Sequence, residues 1–509
     1  MLAVLNTLFI NGIEARPVKV EVDIQNGLPD FQIVGLASIA IKEARERVRS
    51  AIKNCNYKFP NQKIIVNLAP ADLKKEGTHF DLAIALGILI ASEQVRPAGE
   101  QLYYLAGELS LDGIVRKVPG ILPMALELIN LSYPVQFIIP EENSPEAALV
   151  NELAALPVNH LNQVIKWLEG EISLESVKAD KQTNTVKFAQ GDFAEVKGQD
   201  TAKRALQIAA AGMHNILLIG PPGGGKTMLA RRVVSIFPDM TRQEVLESTR
   251  IYSVANLLNT DQPLINSRPF RSPHKNASSA SIVGGGRIPR PGEISLAQNG
   301  VLFLDELPEF NRDVLEALRQ PLEDKVITVA RAHGAYTFPA NFILIASMNP
   351  CPCGNFGSQL ECRCTPLQIH KYLSRISGPL LDRMDLHVEV PRVRFEQLKN
   401  RDQGETSAQI KERVALARTV QEKRFADQHN KVNALMTPGE VKRHCILDKE
   451  TEQLLKSAFN KLNLSARGYD RILKVARTIA DLDDETAIKI RHIAEALQYR
   501  SLDKKYWMA

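Results

Sequence analysis

One glycine-rich octapeptide constrains the fold of this chain more than any other feature. Residues 220–227 read Gly-Pro-Pro-Gly-Gly-Gly-Lys-Thr and match the pattern G-x-x-x-x-G-K-[ST] in full. Four apolar residues, Ile216–Ile219, come directly before the loop, and helix-favouring residues follow it from Met228. The pattern predicts a buried parallel strand that leads into the loop and a helix that leads out of it.

A loop of this kind predicts phosphate binding. Its glycines let the backbone turn tightly and aim N–H groups at phosphate oxygens, with the positive end of the helix dipole behind them. We expect Lys226 to reach the β- and γ-phosphates of ATP and Thr227 to ligate Mg²⁺. If the octapeptide is considered alone, the alternative to a phosphate-binding loop is a glycine-rich turn ahead of an ordinary helix. The residues predicted to bind the nucleotide are Gly220, Pro221, Pro222, Gly223, Gly224, Gly225, Lys226, Thr227, Met228 and Asp305.

Two further apolar segments also end in polar residues. Val301–Leu304 is followed by Asp305, which we expect to hold Mg²⁺, and by Glu306, which we expect to polarise the attacking water. A third strand, predicted over 341–347, leads to Asn349 as a sensor of that water. Taken alone, the sequence of residues 301–306 is also consistent with an ordinary strand that ends in a solvent-exposed turn. Together, the three strands predict catalytic groups at the carboxyl edge of one parallel sheet.

Length and composition predict several domains in a cytoplasmic protein. A chain of 509 residues with 44% hydrophobic residues is long enough for several cores. No window reaches transmembrane length, and the first ten residues lack the features of a secretory signal, so we expect no membrane association. A net charge of +5 neither requires nor excludes a polyanionic partner.

The chain is predicted to be an α/β protein of several units. Residues 1–170 form an N-terminal α+β domain, and 171–191 form a polar, lysine-rich linker. An α/β nucleotide-binding core follows over 192–395 and contains a cysteine-rich insertion at 351–364. Residues 396–509 carry Lys, Glu, Ala and Leu at helical spacing and predict a C-terminal helical lid.

Four of the six cysteines lie in one short stretch, at Cys351, Cys353, Cys362 and Cys364. Two closely spaced pairs joined by a turn-rich loop can converge on one tetrahedral ion, and a reducing cytosol favours zinc over disulfides. Because the protein would fill all four positions, the predicted zinc is structural. Redox disulfides or an iron–sulfur cluster are the alternatives.

Longer motifs carry a family resemblance. With the glycine-rich loop, the segment Arg-Ser-Pro-His-Lys-Asn-Ala-Ser at 271–278 and the segment Leu-Asp-Glu-Leu-Pro-Glu-Phe at 304–310 resemble the magnesium-chelatase-like AAA+ ATPases, and most closely their ComM (YifB) group. The resemblance covers essentially the whole chain. It implies an AAA+ P-loop core with an α-helical lid, and a hexameric, ATP-dependent DNA helicase and translocase. It also implies branch migration during homologous recombination in natural transformation.

The same resemblance implies cofactors, partners and two catalytic arginines. The cofactors are ATP, Mg²⁺ and Zn²⁺, and the partners are single-stranded and branched DNA, further copies of the chain and recombination proteins. Arg383 occupies the place of the finger that reaches a neighbouring subunit's γ-phosphate, and Arg467 that of the second sensor, with Arg375 as a weaker candidate. The predicted catalytic residues are Lys226, Glu306, Asn349, Arg383 and Arg467.

DNA contact is predicted on two basic segments. The stretch 262–292 contains no acidic residue and includes three consecutive glycines, so it is interpreted as a pore loop. Residues 326–338 alternate as a β-hairpin would, and the family places a hairpin there. A solvated basic loop and an ordinary hairpin are the alternatives. The predicted DNA contacts are Lys275, Arg287, Arg290, Arg331 and His333.

The N-terminal domain resembles the Lon protease catalytic domain, which has a ribosomal S5 domain 2-like fold. His79 falls where that family has its nucleophilic serine, and Leu122 where it has the activating lysine. Neither residue can play that part, so we expect a role in assembly or DNA engagement. Two other functions remain open: a chelatase-type motor that remodels a protein partner, and a DNA-binding scaffold with vestigial nucleotide binding.

Overall fold

The structure is a computed structural model. It describes residues 2–71, 74–99, 101–178, 191–259, 263–286, 289–331, 334–358, 360–393, 404–426, 428, 430–462 and 464–506. The predictions for Arg287 and His333 lie outside these ranges, as does most of the linker predicted over 171–191.

The N-terminal part of the chain forms a mixed sheet. Seven of its strands are joined in the order β3-β4-β2-β1-β5-β8-β9, with antiparallel pairs around β2 and parallel pairs elsewhere. The helix Asp81–Ala91 is buried on almost every face, because all of its residues after Asp81 are apolar. The strands are β1 Leu2–Asn11, β2 Glu14–Gln25, β3 Asp30–Val34, β4 Lys63–Ala69, β5 Tyr103–Leu105, β6 Glu108–Leu109, β7 Val115–Arg116, β8 Gln136–Pro140 and β9 Ala154–Val158. The helices are Ile39–Asn54, Asp81–Ala91, Ile121–Ile129, Ser144–Ala147 and Leu161–Leu168.

A parallel sheet follows, in the order β11-β14-β17-β10-β18. Every residue of β10, β14 and β17 is buried, as expected for continuous apolar strands covered on both faces. The α/β class is therefore confirmed. The strands are β10 Ile216–Ile219, β11 Phe270–Arg271, β12 Gly284–Gly285, β13 Arg290–Pro291, β14 Val301–Leu304, β15 Val326–Arg331, β16 Gly334–Pro339, β17 Ile343–Met348 and β18 Leu386–Glu389. The helices of this region are Asp200–Gly212, Lys226–Arg232, Arg242–Val254, Ser279–Val283, Glu293–Leu296, Arg312–Ala317, Arg319–Asp324, Pro366–Leu373 and Gly378–Leu381.

The C-terminal region is helical. Its helices Ser407–Arg424 and Ala466–Leu482 both pack on Asp200–Gly212, so the lid and the parallel-sheet core share one hydrophobic cluster. Among the described residues, no helix combines the length and the apolar character needed to cross a membrane. The helices are Ser407–Arg424, Pro438–His444, Lys449–Lys461, Ala466–Leu482, Ile490–Gln498 and Ser501–Tyr506.

Asn215 joins three strands at the amino edge of the parallel sheet. Its side-chain Nδ2 donates to the carbonyl of Arg383 at 3.0 Å, and its Oδ1 accepts from the N–H of Leu344 at 2.9 Å. Its backbone N–H donates to the carboxylate of Asp385 at 2.9 Å. Asn215 precedes β10, Leu344 belongs to β17, and Arg383 precedes β18. One buried asparagine therefore holds three strands in register.

The helix Arg242–Val254 connects the N-terminal domain to the parallel-sheet core. Nε of Arg250 donates to the carbonyl of Ile13 at 2.6 Å. The hydroxyl of Ser253 donates to the buried carboxylate of Glu146, whose pKa burial raises. The two domains are thus joined by polar contacts as well as by the chain between them.

Asp385 provides a stability test of this architecture. Although burial raises the pKa of Asp385, Arg471 at 2.9 Å and further hydrogen bonds lower it well below the ordinary value. Its contribution is therefore full above the unfolded-state pKa of about 3.9 and is lost as the pH falls through the lower folded-state value. We expect Asp385→Asn to lower the free energy of unfolding at pH 7 by about 3 kcal/mol, because Arg471 loses its buried partner.

The measurement is urea unfolding followed by circular dichroism at several pH values. The gap between the unaltered chain and the variant should stay constant near neutral pH and narrow below about pH 4. Equal stability at pH 7, or a gap that widens in acid, would contradict the assignment.

Candidate nucleotide-binding site

The glycine-rich loop follows β10 and needs glycine at particular positions. Gly225 has a φ of +88° and directly precedes the helix Lys226–Arg232. A Cβ on Gly220 would lie 2.1 Å from the carbonyl oxygen of Val390, the residue after β18. The helix begins two residues before the predicted Met228, so Lys226 and Thr227 already have helical backbone. Met228 is partly exposed in the first turn.

Lys226 is buried and connects the loop to the neighbouring strand. Its Nζ donates to the carbonyls of Gly220 at 2.7 Å and Pro221 at 3.0 Å, and to Oδ1 of Asn349 at 3.1 Å. Burial lowers the pKa of Lys226, and the charges of Asp305 and Glu306 oppose that shift. The ammonium group therefore lies between the loop and the end of β17, where phosphate oxygens could replace its present acceptors.

Thr227 and Asp305 also meet at this edge of the sheet. The threonine hydroxyl donates to Oδ2 of Asp305 at 2.8 Å, and the hydroxyl of Ser347 donates to the other carboxylate oxygen. A hydroxyl and a carboxylate are the hard oxygen ligands that Mg²⁺ prefers. Ser347 was not predicted, although a serine within the apolar strand β17 is a signal that could have identified it.

Glu306 has an unusual backbone and an unexpected partner. Its φ is +55°, a left-handed conformation that is uncommon for a residue with a side chain. Its side chain is half-exposed and accepts a hydrogen bond from Nζ of Lys275 at 2.7 Å, and this contact raises the pKa of Lys275. The predicted hydrolytic carboxylate is therefore paired with a predicted DNA contact.

Gln199 also holds the glycine-rich loop in place. It lies just before the helix Asp200–Gly212, and its Nε2 donates to the carbonyls of Gly224 at 3.2 Å and Pro391 at 2.6 Å. The amide thus links the glycine-rich loop to the chain that leaves β18. Sequence reasoning did not single out Gln199, because both acceptors are backbone atoms.

The two predicted catalytic arginines lie at the other edge of the parallel sheet. β10 and β18 pair from Ile216 with Leu386, so Arg383 lies near the start of β10 whereas the glycine-rich loop follows its end. About 10 Å of strand separates these two edges. Both Arg383 and Arg467 bind the carboxylate of Glu323, and the Arg467 contact is 3.3 Å.

These arginines differ in exposure. Arg383 has 9% of its side chain exposed and also donates to the carbonyl of Pro379 at 2.7 Å, whereas Arg467 is 63% exposed. Burial acts to raise the pKa of Glu323, but the hydrogen bond from Arg383 and the charges of Arg383 and Arg467 outweigh it, so the pKa lies below its ordinary value. Arg375, the weaker candidate, binds Glu309 at 3.0 Å.

In the described part of the basic segment over 262–292, several cationic side chains are paired with carboxylates of the same chain. Arg268 is buried and forms an ion pair with Glu244 at 2.8 Å, and Arg271 binds Glu293 at 2.6 Å. Arg290 is exposed in β13 and lines a cavity shared with the N-terminal domain. β15 and β16 pair antiparallel, which confirms the predicted hairpin, and the backbone of Arg331 ends its first strand.

The four clustered cysteines converge. Their four Sγ atoms all lie within 4.8 Å of one another, and none of the four cysteines forms a disulfide. The predicted ligand set Cys351, Cys353, Cys362 and Cys364 is thus brought together directly after Asn349.

The positions compared with a protease dyad are both buried. Leu122 is fully enclosed in the helix Ile121–Ile129. Burial lowers the pKa of His79 to about 4, so its imidazole is neutral at pH 7.

Three family profiles cover most of the chain. The profile of magnesium chelatase, subunit ChlI, matches residues 192–398, and that of its C-terminal part matches 404–500. The profile of subunit ChlI of Mg-chelatase matches 20–143. The parallel sheet with its helical C-terminal region is thus a magnesium-chelatase-like AAA+ fold.

Full-length relatives define the family more closely. The uncharacterized protein YifB of Escherichia coli (strain K12) is 47% identical over 99% of this chain and 98% of its own length. The competence protein ComM of Haemophilus influenzae is 46% identical over 98% of both chains. The chloroplastic magnesium-chelatase subunit ChlI of Oryza sativa is 22% identical over 60% of this chain and 73% of its own. The chain therefore belongs to the ComM/YifB family of magnesium-chelatase-like proteins.

Proposed function

We propose that this protein is an ATP-hydrolysing AAA+ motor that moves on DNA. In its finer form, the proposal is a hexameric helicase and translocase that promotes branch migration during homologous recombination in natural transformation. The observation that carries the ATPase part is the cluster of Lys226, Thr227, Asp305 and Asn349 at one sheet edge. The relative named as a competence protein supports the link to transformation.

The chain's own residues divide the proposed hydrolysis between them. Lys226 binds the β- and γ-phosphates in place of the carbonyls it now contacts, and Asn349 orients the attacking water. Glu306 takes the proton of that water. Thr227 and Asp305 would hold Mg²⁺, which would neutralise part of the negative charge of the phosphates.

The separation of the two sheet edges supports action between subunits. Arg383 and Arg467 lie near the start of β10, whereas the glycine-rich loop follows its end. In the proposed ring, the γ-phosphate of a neighbouring subunit replaces Glu323 as the anionic partner of these arginines. A phosphate is a stronger partner for guanidinium groups than one carboxylate shared by both.

DNA is the proposed substrate on which the motor moves. Its proposed contacts are Lys275, Arg287, Arg290, Arg331 and His333. Contacts of this type bind the phosphate backbone, tolerate any sequence and weaken as salt rises. Single-stranded and branched DNA and recombination proteins are the proposed partners, and the cytoplasm is the proposed location. The proposed cofactors are ATP, Mg²⁺ and a structural Zn²⁺. The residues 1–170 are proposed to support assembly or DNA engagement.

Mixing two inactive variants tests the shared site. Arg383→Ala lacks the finger, and Lys226→Ala lacks the phosphate-binding lysine. We expect each alone to lose ATPase activity by about 10³-fold or more. A mixture should recover part of the activity, because each Arg383→Ala nucleotide site can face an intact Arg383.

Arg467→Ala mixed with Lys226→Ala should behave in the same way. A mixture of Arg383→Ala with Arg467→Ala is the matched control. It should stay inactive, because both variants lack an arginine of the same half of the site and no subunit can supply both arginines to its neighbour. ATPase activity that never exceeds the sum of the separate variants would contradict the shared site.

The ion pair between Lys275 and Glu306 predicts a link between DNA and hydrolysis. DNA phosphates that attract Lys275 would release Glu306, so Lys275→Ala should raise ATP hydrolysis without DNA severalfold and remove most of the stimulation by DNA. Lys275→Arg, which keeps the charge, is the control. ATPase assays with and without single-stranded DNA make the comparison, and a variant with ordinary basal activity and full stimulation would refute this link.

Strand displacement on a three-stranded DNA tests the proposed function directly. We expect ATP-dependent displacement that fades as salt rises, and none with Lys226→Ala or Glu306→Gln. Glu306→Gln should still bind ATP, because the residues that hold the phosphates are intact. No displacement, with ATPase activity that rises only when a protein partner is added, would favour the chelatase-type motor instead.

A further inference from the structure

The geometry points to a metal site that controls the position of the phosphate-binding loop. We propose that Cys351, Cys353, Cys362 and Cys364 bind one Zn²⁺ ion and that this ion holds Gly354 against Pro222 of the loop. The effect on nucleotide binding rests on the proposed function, whereas the metal site itself does not.

The sulfur separations fit one tetrahedral ion. Sγ of Cys351 lies 3.4 Å from that of Cys353 and 3.7 Å from that of Cys362, and the last two are 3.6 Å apart. Four sulfur atoms bound at about 2.3 Å to one tetrahedral zinc lie about 3.8 Å from one another. The four thiols are thus already spaced as the ligands of a single ion.

The alternatives considered from the sequence fit this geometry less well. A disulfide needs an S–S distance of about 2.05 Å, well below every separation above. An iron–sulfur cluster distributes its cysteines over several iron atoms, which would hold them farther apart than one shared ion does. All four Sγ atoms within 4.8 Å therefore favour a single soft cation.

Contacts within the protein hold the first part of this cluster in place. Cys351 follows Asn349 by two residues, and its Sγ accepts a hydrogen bond from the N–H of Phe356 at 3.4 Å. The ring of Phe356 lies 6.3 Å from that of Tyr506, near the C-terminal end of the described chain. Hydrogen bonds to a ligating sulfur are typical outer contacts of a metal site.

Gly354 transmits the position of this cluster to the glycine-rich loop. It has a φ of +81°, and its N–H donates to the carbonyl of Cys351 at 3.0 Å. A Cβ on Gly354 would lie 2.4 Å from Cδ of Pro222. The turn that carries two of the ligands therefore packs directly on the loop that carries Lys226, so that loss of the ion would release one side of that loop.

The experiment uses the full-length chain purified under reducing conditions. Zinc is quantified by elemental analysis, removed with a chelator, and restored, while binding of a fluorescent ATP analogue is measured at each stage. We expect the purified chain to contain one zinc ion. After zinc is removed, nucleotide binding should weaken and ATPase activity should fall about 10- to 100-fold, as it does when a catalytic group is misplaced. Both should recover when zinc is restored. Circular dichroism shows whether the chain stays folded.

Substitutions distinguish the effect of the metal ion from that of the contact between Gly354 and Pro222. Cys353→Ser should lose zinc and weaken nucleotide binding, whereas Gly354→Ala should keep most zinc and still weaken nucleotide binding. Gly439→Ala is the matched control, because a Cβ there meets no atom within 4 Å. Lys226→Ala should keep a full complement of zinc while it loses ATP hydrolysis.

Each result decides a separate claim. A reduced chain without bound metal would overturn the metal site. A folded, zinc-free chain that binds nucleotide as tightly as before would overturn the control of the loop. A chain that holds zinc but binds no nucleotide would instead overturn the proposed ATPase, and leave the metal site standing.

Discussion

The side chain of Asn215 is the contact on which the arrangement of the site depends. It hydrogen-bonds the backbone at Leu344 and at Arg383 and thereby sets the register of β10 against its two neighbours. The three strands end in the glycine-rich loop, in Asn349 and beside Val390. A slip of one residue in any of them would turn the following polar residues to the wrong face. A buried polar side chain with its partners satisfied is thus a register device here.

This register has opposite consequences at the two edges of the sheet. At the carboxyl edge it places the Asn349 amide 3.1 Å from the ammonium group of Lys226. The next residue of the loop, Thr227, donates to the carboxylate of Asp305 at the same edge. At the amino edge it places Arg383 and Arg467 around Glu323. In the proposed function, the groups at these two edges belong to hydrolytic sites shared with different neighbouring subunits, which is why the proposal includes a ring.

Much of this could be read from the sequence, because the signals were local. The apolar run at Ile216–Ile219 and the motif after it define a strand, a loop and a helix, and β10 has the predicted bounds. Asp305 and Asn349 follow from the same rule that polar residues after buried strands meet at one edge. The spacing of the cysteines predicted their convergence.

The remaining contacts could not be predicted, because they join residues far apart in the chain. Gln199 and Glu323 have no local pattern that identifies their contacts, and each matters only through a partner brought close by folding. The pairing of Lys275 with Glu306 also changes the interpretation of a basic segment, since exposure and ion pairing cannot be read from charge alone. The contact of Gly354 with Pro222 likewise appears only once the chain is folded.

In the proposed function, one chain alone does not complete the hydrolytic site. The most direct measurement is ATPase activity per mole of protein over a dilution series, with the size of the particles measured at each concentration. We expect activity per chain to fall toward zero as the assembly dissociates into single chains, because each nucleotide then lacks the arginines of a neighbouring subunit. Constant activity per chain in a preparation that contains only monomers would contradict it.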